Sequence, residues 1–302
     1  MIKNFKKAFT MIELIIVMVV LGLVASMGAT IISQVYMNYI NQRAMYSSSI
    51  KTEIATSIIF NRLSYRLTNA TVGRNASNSD DIELVTNITD SNKYSILEWY
   101  GMAVDSFNAN DTDMRPSWNG FCDVGGSSED TVATTGSNLS LLKDVIENVS
   151  NSKVSDLAIV FADPSYSSTQ GYNFKCMGYV DNSCISRISS VDTNLEAFKL
   201  SNSDSKRVAE QYKLVRTAYA LVPVNERDYH GTPVFDLELR YDYQPWQGES
   251  YKDSGTSRNI LVRNVSTFRF SAMGDTLRFK LCVSENIGNR NLTTCKEKAV
   301  IR

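Results

Sequence analysis

Few residues in this chain could do acid–base, nucleophilic or metal chemistry. Among 302 residues the only histidine is His230, so most zinc sites and most Ser-His or Cys-His hydrolase mechanisms lack the imidazole they need. Neither the GxxxxGK(S/T) nor the GxGxxG pattern of a phosphate-binding loop occurs. Lys and Arg total 31 against 32 Asp and Glu, which gives no basic excess for nucleic acid. We therefore expect that the protein is not an enzyme and that it has no cofactor, no metal site and no nucleic-acid partner.

One acidic side chain, Glu13, stands alone in a long apolar segment. Residues 9–32 are otherwise apolar apart from two glycines and three hydroxyl side chains. As a helix this stretch is about 36 Å long, enough to cross a hydrocarbon core of ~30 Å. It follows a short basic leader that contains Lys3, Lys6 and Lys7. Because basic flanks stay in the cytoplasm, the pattern predicts one membrane pass, with the N-terminus in the cytoplasm and the remaining chain on the other side of the membrane.

The residues around Glu13 separate this segment from an ordinary signal peptide. A signal peptide has a shorter apolar core with small residues after it, whereas here the small residue Ala8 comes before the core. The run Lys6–Val17, KKAFTMIELIIV, resembles the type III signal of type IV pilins and type II secretion pseudopilins. An unprocessed signal anchor is the alternative.

The resemblance implies how the N-terminus is processed. A membrane prepilin peptidase, which is also the methyltransferase, would cut between Ala8 and Phe9 and methylate the new N-terminal Phe9. Glu13 then matches the family's glutamate at the fifth mature position. Ala8 stands where the family usually has glycine.

Glu13 also has a physical argument of its own. A carboxylate inside a spanning helix costs about 2.5–3.5 kcal/mol on insertion scales, so it is usually there for a partner. Cleavage would free the α-amine of Phe9, and α-amines ordinarily have a pKa of about 7.7–8.0. We expect Glu13 to pair with the Phe9 amine of a neighbouring subunit during assembly. The alternative is an acid that serves only its own helix.

The helix is predicted to continue beyond the membrane, over residues 33–70. No proline occurs before Pro116, and Ile50, Ile54 and Ile58 recur at helical spacing, followed by Leu63 and Leu67. This apolar stripe is expected to pack on a sheet, and Gly73 is the expected C-terminal cap.

The chain after residue 71 shows β-strand patterns. The clearest is Val234–Tyr243, where apolar and charged residues alternate to predict one buried and one wet face. Val265–Ser271 and Thr276–Val283 flank Gly274-Asp275 and predict a hairpin. Residues 106–140 are polar and are expected to form a variable surface loop region. The fold class is therefore α+β and pilin-like: a long N-terminal helix packed on an antiparallel β-sheet.

The resemblance also implies a place within the family. After loss of eight leader residues the mature chain would hold 294 residues, long beside a typical major pilin, which favours a minor subunit. The segment Tyr243–Trp246 and the order of the late strands look most similar to the J-type pseudopilins and their pilus counterparts.

Five cysteines follow the membrane helix, on the side where disulfides persist. Cys282 and Cys295 could join the last two strands, and Cys176 and Cys184 could close a small loop. Cys122 would then be left over. No CxxC spacing supports zinc.

The remaining candidate side chains are expected to be structural. The acidic groups Asn110-Asp111-Asp113 and Asp80-Asp81 match no EF-hand, so we expect solvated loop residues although some pseudopilin relatives bind calcium. His230 is expected in a surface loop. Trp99, Trp118 and Trp246 are expected to anchor the core or the loops, and Trp118, which lies in the polar region, is also a candidate contact residue.

Together these features favour a non-catalytic minor pilin or pseudopilin that primes or caps a filament for secretion or pilus function. Its expected partners are the prepilin peptidase, other minor and major pilins or pseudopilins, and the inner membrane. The alternative is a membrane-anchored periplasmic binding protein or adhesin that does not polymerise.

Overall fold

A computed structural model describes residues 10–78, 80–110, 112, 114–149, 152–162, 173–201, 208–287 and 290–301. Its first element is helix α1, Met11–Leu63, of 53 residues. Thr10 caps this helix, because its side chain and carbonyl oxygens both accept from the Glu13 amide, at 3.4 and 3.1 Å. No proline interrupts the segment, so the backbone hydrogen-bond ladder continues past the apolar part.

The helix ends earlier than its sequence predicts. Ser64 caps it, and its amide and hydroxyl both donate to the Phe60 carbonyl, at 2.9 and 2.8 Å. Arg66 then donates to the Leu63 carbonyl at 3.0 Å. The predicted continuation to residue 70 is therefore wrong. Gly73 is no cap: it lies buried inside a strand, where an added Cβ would come within 2.4 Å of the Ile88 side chain.

In the described part of the chain, thirteen strands and two short α-helices follow α1. The strands are β1 (Arg66–Arg74), β2 (Ile82–Leu84), β3 (Ile96–Met102), β4 (Asp123–Ser128), β5 (Thr131–Ala133), β6 (Ala158–Phe161), β7 (Ser186–Asp192), β8 (Ala197–Leu200), β9 (Tyr212–Tyr229), β10 (Thr232–Tyr243), β11 (Ser257–Met273), β12 (Thr276–Ile287) and β13 (Arg290–Val300). The short helices are α2 (Val104–Phe107) and α3 (Leu139–Asp144).

All strand pairs are antiparallel. The main order is β13-β12-β11-β10-β9-β6-β7-β8-β5-β4. The long strand β9 also pairs with β3, which continues through β1 to β2. The structure thus confirms the α+β class, with a long N-terminal helix packed on an antiparallel sheet.

The sheet has a hydrophobic cluster on each face. Neighbouring residues of a strand point to opposite faces, so Trp99 joins the cluster under α1 while Tyr100 joins the other. Both are fully buried, as is Trp246 in the second cluster. The expectation that the tryptophans anchor the core is confirmed.

The structure has the predicted β11–β12 hairpin and places His230 at the surface between two strands, as expected. In the β11–β12 hairpin Phe268 lies opposite Leu281 and Phe270 opposite Phe279. His230 is exposed and joins β9 to β10 with Gly231, at φ angles of 51° and 80°, which is the geometry of a tight hairpin turn.

The predicted wet face of β10 is only partly wet. Asp236 is 3% exposed and bound to Arg227 at 2.8 Å. Glu238 and Arg240 pair at 2.7 Å, and Tyr251 lies against the Arg240 guanidinium. These charges are covered because the second cluster occupies that face of the sheet.

Residues 106–140 are not simply a surface loop. They contribute to a third hydrophobic cluster with β6, β8 and β9. Trp118 is 4% exposed, and its indole N–H donates to the Ala103 carbonyl at 3.2 Å. Thr134 is fully buried against the Tyr212 hydroxyl at 2.8 Å. The polar composition misled because these hydroxyl groups are satisfied inside the fold.

Candidate assembly site on the N-terminal helix

No residue in the first two thirds of α1 is buried. The first buried residue of the helix is Ser48, and Glu13 is exposed. The large apolar residues up to Tyr39 are uncovered, with Met11 84% and Ile32 70% exposed, whereas Ile40 and Ala44 are half-buried. Within the described residues this is the one helix long and apolar enough to cross a membrane. Such a surface needs lipid or protein around it.

Several predicted site residues cannot be placed in this geometry. The leader lysines Lys3, Lys6 and Lys7 and the processing residues Ala8 and Phe9 lie outside the described residues. Glu13 occupies the first helical turn, where the partial positive charge of the helix N-terminus favours a carboxylate.

The face of α1 that packs on the sheet is small and partly polar. Its buried residues are Ser48, Thr52, Ala55, Thr56, Ile59 and Leu63. Thr52 and Thr56 donate their hydroxyls to the carbonyl four residues earlier, at 2.7 and 2.8 Å. Ser48 donates to the Val283 carbonyl of β12 at 3.3 Å. Hydroxyls satisfied in this way let the helix approach the sheet closely.

The isoleucines of the predicted apolar stripe therefore lie on the opposite face. Ile50, Ile54 and Ile58 are 39%, 55% and 36% exposed. The expectation that the stripe packs on the sheet is therefore wrong for these three isoleucines, whereas Leu63 of the same predicted stripe is buried against the sheet. The three isoleucines extend the exposed apolar surface of α1 toward the C-terminal end of the helix, on the side that faces away from the sheet.

Ion pairs hold the packed part of the helix in place. Glu53 binds both Lys296 and Lys298 of β13, the second at 3.0 Å. The hydrogen bonds from these two lysines lower the pKa of Glu53 to about 2. Two residues earlier, Lys51 pairs with Glu285 of β12. The packed part of α1 thus lies on β12 and β13, and we call these two strands the seat of the helix.

The structure places both candidate disulfide pairs at bonding distance. Cys282 lies opposite Cys295 in the β12–β13 ladder, with Cα atoms 4.0 Å apart. This bond would tie together the two strands that carry the helix. Cys176 and Cys184 are joined with Cα atoms 5.2 Å apart. Cys122 is free and buried, and burial raises the pKa of its thiol.

The main buried ionic network supports the sheet. Glu98 is 1% exposed, pairs with Arg74, and accepts the Tyr243 hydroxyl at 2.8 Å. Burial is the main cause that raises the pKa of Tyr243 well above its usual value, and the negative charge of Glu98 raises it further. The Glu98 carboxylate is thus shut from solvent, with its charge compensated by Arg74.

Of the two acidic loop groups, the structure describes the side-chain contacts of Asp81 in one but not the aspartates of the other. Asp81 binds Lys93 at 2.8 Å, Tyr94 at 3.1 Å and Asn75 at 3.3 Å, so its carboxylate is engaged within the protein. Asp111 and Asp113 lie outside the described residues. Among the residues that are described, no three His, Cys, Asp or Glu side chains stand close enough to hold a metal ion.

Sequence reasoning missed the residues that seat the helix. Glu53, Lys296 and Lys298 carried no motif. The signal that could have revealed them is the i, i+2 spacing of the two lysines, which puts both on one face of β13. Arg66, which donates to the Asp275 carbonyl at 2.6 Å beneath the helix end, had no such signal.

Residues 3–29 match the family model of the prokaryotic N-terminal methylation motif. A comparison with curated proteins finds no match, and neither does a comparison with solved structures. The match covers most of the leader, the processing residues, Glu13 and most of the apolar segment. It supports a type IV pilin-like protein with a single-pass membrane anchor.

Proposed function

We propose that this chain is a minor pilin or pseudopilin, a non-catalytic subunit that primes or caps a filament. The observation that carries the proposal is the methylation motif on a helix in which none of the first 37 residues after Thr10 is buried. An apolar helix with a single carboxylate can leave the lipid and pack against the helices of neighbouring subunits. The minor role rests on the length of the chain, and a J-type position on the segment Tyr243–Trp246.

Glu13 is the residue that we propose sets the position of the subunit. After cleavage the Phe9 amine would be a cation in lipid, which costs energy unless it is paired. Glu13 has no side-chain ion pair within the described residues and is exposed, so its carboxylate is free to accept the amine of a neighbour. The ion pair would offset both the cost of burying the Glu13 carboxylate and the cost of burying the Phe9 amine.

Filament incorporation tests this role. Glu13→Leu leaves the neighbour's amine unpaired, at a cost of about 3 kcal/mol, or about a hundredfold in an equilibrium. We expect the variant in sheared filaments to fall at least tenfold while its level in the membrane stays unchanged. Glu13→Asp keeps the charge and is expected to retain part of the incorporation.

The control is an equally exposed change elsewhere on the free helix, Thr30→Leu, which removes a hydroxyl that serves only its own helix. Wild-type incorporation of Glu13→Leu would contradict the assembly role.

The second candidate is a membrane-anchored binding protein that never polymerises. A mere anchor gains nothing from Glu13, so it would be indifferent to Glu13→Leu in every assay. Recovery of the wild-type chain only from membranes, with none in sheared filaments, would favour this candidate. The filament could serve type II secretion or a type IV pilus, and neighbouring genes would distinguish these.

A further inference from the structure

A groove runs between α1 and the end of β12, directly above the apolar segment. Met37, Ile40 and Ala44 of the helix form one wall, and Ile287 at the end of β12 forms the other. Its volume is about 490 Å³, within the range of small-ligand sites. The groove is mostly apolar, and Arg43 lies at its side.

The membrane-facing end of the groove, at Met37, lies at the outer edge of the lipid headgroups, which extend about 5–8 Å beyond the hydrocarbon core. The apolar segment ends at Ile32, and Tyr36 is the first aromatic residue after it, which is typical of a membrane interface. At about 1.5 Å per residue, Met37 lies ~8 Å beyond Ile32 and Arg43 ~16 Å beyond it. Side chains of a helix tilt toward its N-terminus, here toward the membrane, so the Arg43 guanidinium reaches lower than its backbone.

Arg43 is the first charged residue to follow Glu13 along the chain. It is exposed and has no acidic partner among the residues that the structure describes. The acidic side chain of the groove, Glu285, is neutralised by Lys51. The local field at the groove is therefore positive. A guanidinium is well suited to bind a phosphate group through two hydrogen bonds.

We propose that this groove binds a phospholipid of the membrane that α1 crosses: Arg43 holds the phosphate, and Met37, Ile40 and Ile287 cover the start of an acyl chain. The lipid fills the gap between the helix and the sheet and fixes the height of the folded domain above the bilayer. This inference rests on membrane anchoring alone and stands whether or not the chain enters a filament.

Tryptophan quenching in nanodiscs tests the proposal on the full chain. Ile287→Trp places a fluorophore in the groove, and phosphatidylglycerol with brominated acyl chains quenches it on contact. Met273→Trp is the matched control, because Met273 is 83% exposed at the opposite end of the β11–β12 hairpin. The native Trp99, Trp118 and Trp246 are buried and give the same background in both variants.

We expect quenching at position 287 to exceed that at position 273 at least threefold. Adding Arg43→Gln should halve the quenching at position 287, and Arg43→Lys should keep most of it. Arg278→Gln removes the same charge from the far end of β12 and should change nothing. Because Arg43 is exposed, its variants are expected to fold, which retention of the Cys282–Cys295 bond would check.

Three outcomes would overturn the proposal. Equal quenching at positions 287 and 273 would mean that no acyl chain enters the groove. Strong quenching at position 287 that stays the same in Arg43→Gln would mean that this position lies near the bilayer but that Arg43 binds no phosphate. Quenching that disappears when two chains share a disc would assign the groove to a neighbouring helix.

Discussion

Two isoleucines five positions apart on α1 should differ strongly in how much stability their truncation to alanine removes. Ile59 is 1% exposed in the cluster that also holds Trp99, whereas Ile54 is 55% exposed on the outer face. Ile59→Ala removes three buried carbon atoms, worth about 0.8 kcal/mol each on transfer. The cavity adds to this loss, so we expect about 3 kcal/mol of destabilisation. Ile54→Ala leaves no cavity, and alanine is the better helix former, so we expect a change within ~0.5 kcal/mol.

Urea unfolding of the full chain in detergent, followed by tryptophan fluorescence, measures both changes. Trp99 lies in the cluster that receives Ile59, so the probe reports loss of the helix–sheet contact directly. The slopes of the unfolding curves should match, since both variants expose the same surface on unfolding. If Ile54→Ala costs as much as Ile59→Ala, the helix packs through its isoleucine stripe and the arrangement described above is wrong.

Two further predictions concern the seat of the helix. Because the folded-state pKa of Glu53 lies near 2, below its usual 4.5, its bonds to Lys296 and Lys298 stabilise fully above pH ~4.5 and are lost as the pH falls toward 2. The stability difference between wild type and Glu53→Gln, from urea unfolding at several pH values, should therefore shrink toward zero near pH 2; a difference independent of pH would refute the pairing. Replacing Cys282 and Cys295 together by alanine should cost about 3 kcal/mol on the chain-entropy model, measured in the same way, and an unchanged midpoint would contradict the bond.

The sequence was most informative where one pattern had one physical cause. Alternation in Phe268–Phe270 and Leu277–Leu281 predicts the hairpin register, since a shift by one residue would expose every apolar side chain. The spacing of Cys282 and Cys295 pointed to the pair that the structure brings together. The basic leader and apolar run predict the membrane helix because few other segments are so apolar over such a length.

Sequence reasoning failed where burial depends on a partner that a periodic pattern does not name. Ile50, Ile54 and Ile58 mark an apolar face, but the pattern alone cannot tell whether a sheet, lipid or another subunit covers it. The face that packs on the sheet was overlooked because Thr52 and Thr56 look polar. Their hydroxyls bond to their own helix, which removes the cost of burying them.

The end of α1 was missed for a similar reason. No glycine or proline stops the helix; instead Ser64 and Arg66 satisfy its last carbonyl groups, and the chain turns directly into β1. Glu98 and Arg74, on neighbouring strands, could not be paired from sequence because the β1–β3 register fixes their contact. Long-range partners of this kind depend on topology.

The central claim is that the chain is processed and assembled as a pilin. The most direct measurement is the intact mass and N-terminal sequence of the protein from native membranes, with and without the prepilin peptidase. Our account predicts a chain that begins at Phe9 and carries one N-methyl group, and only when the peptidase is present. An uncut chain that begins at Met1 in both strains would make α1 a plain anchor, leave Glu13 without a partner amine, and contradict the proposed assembly.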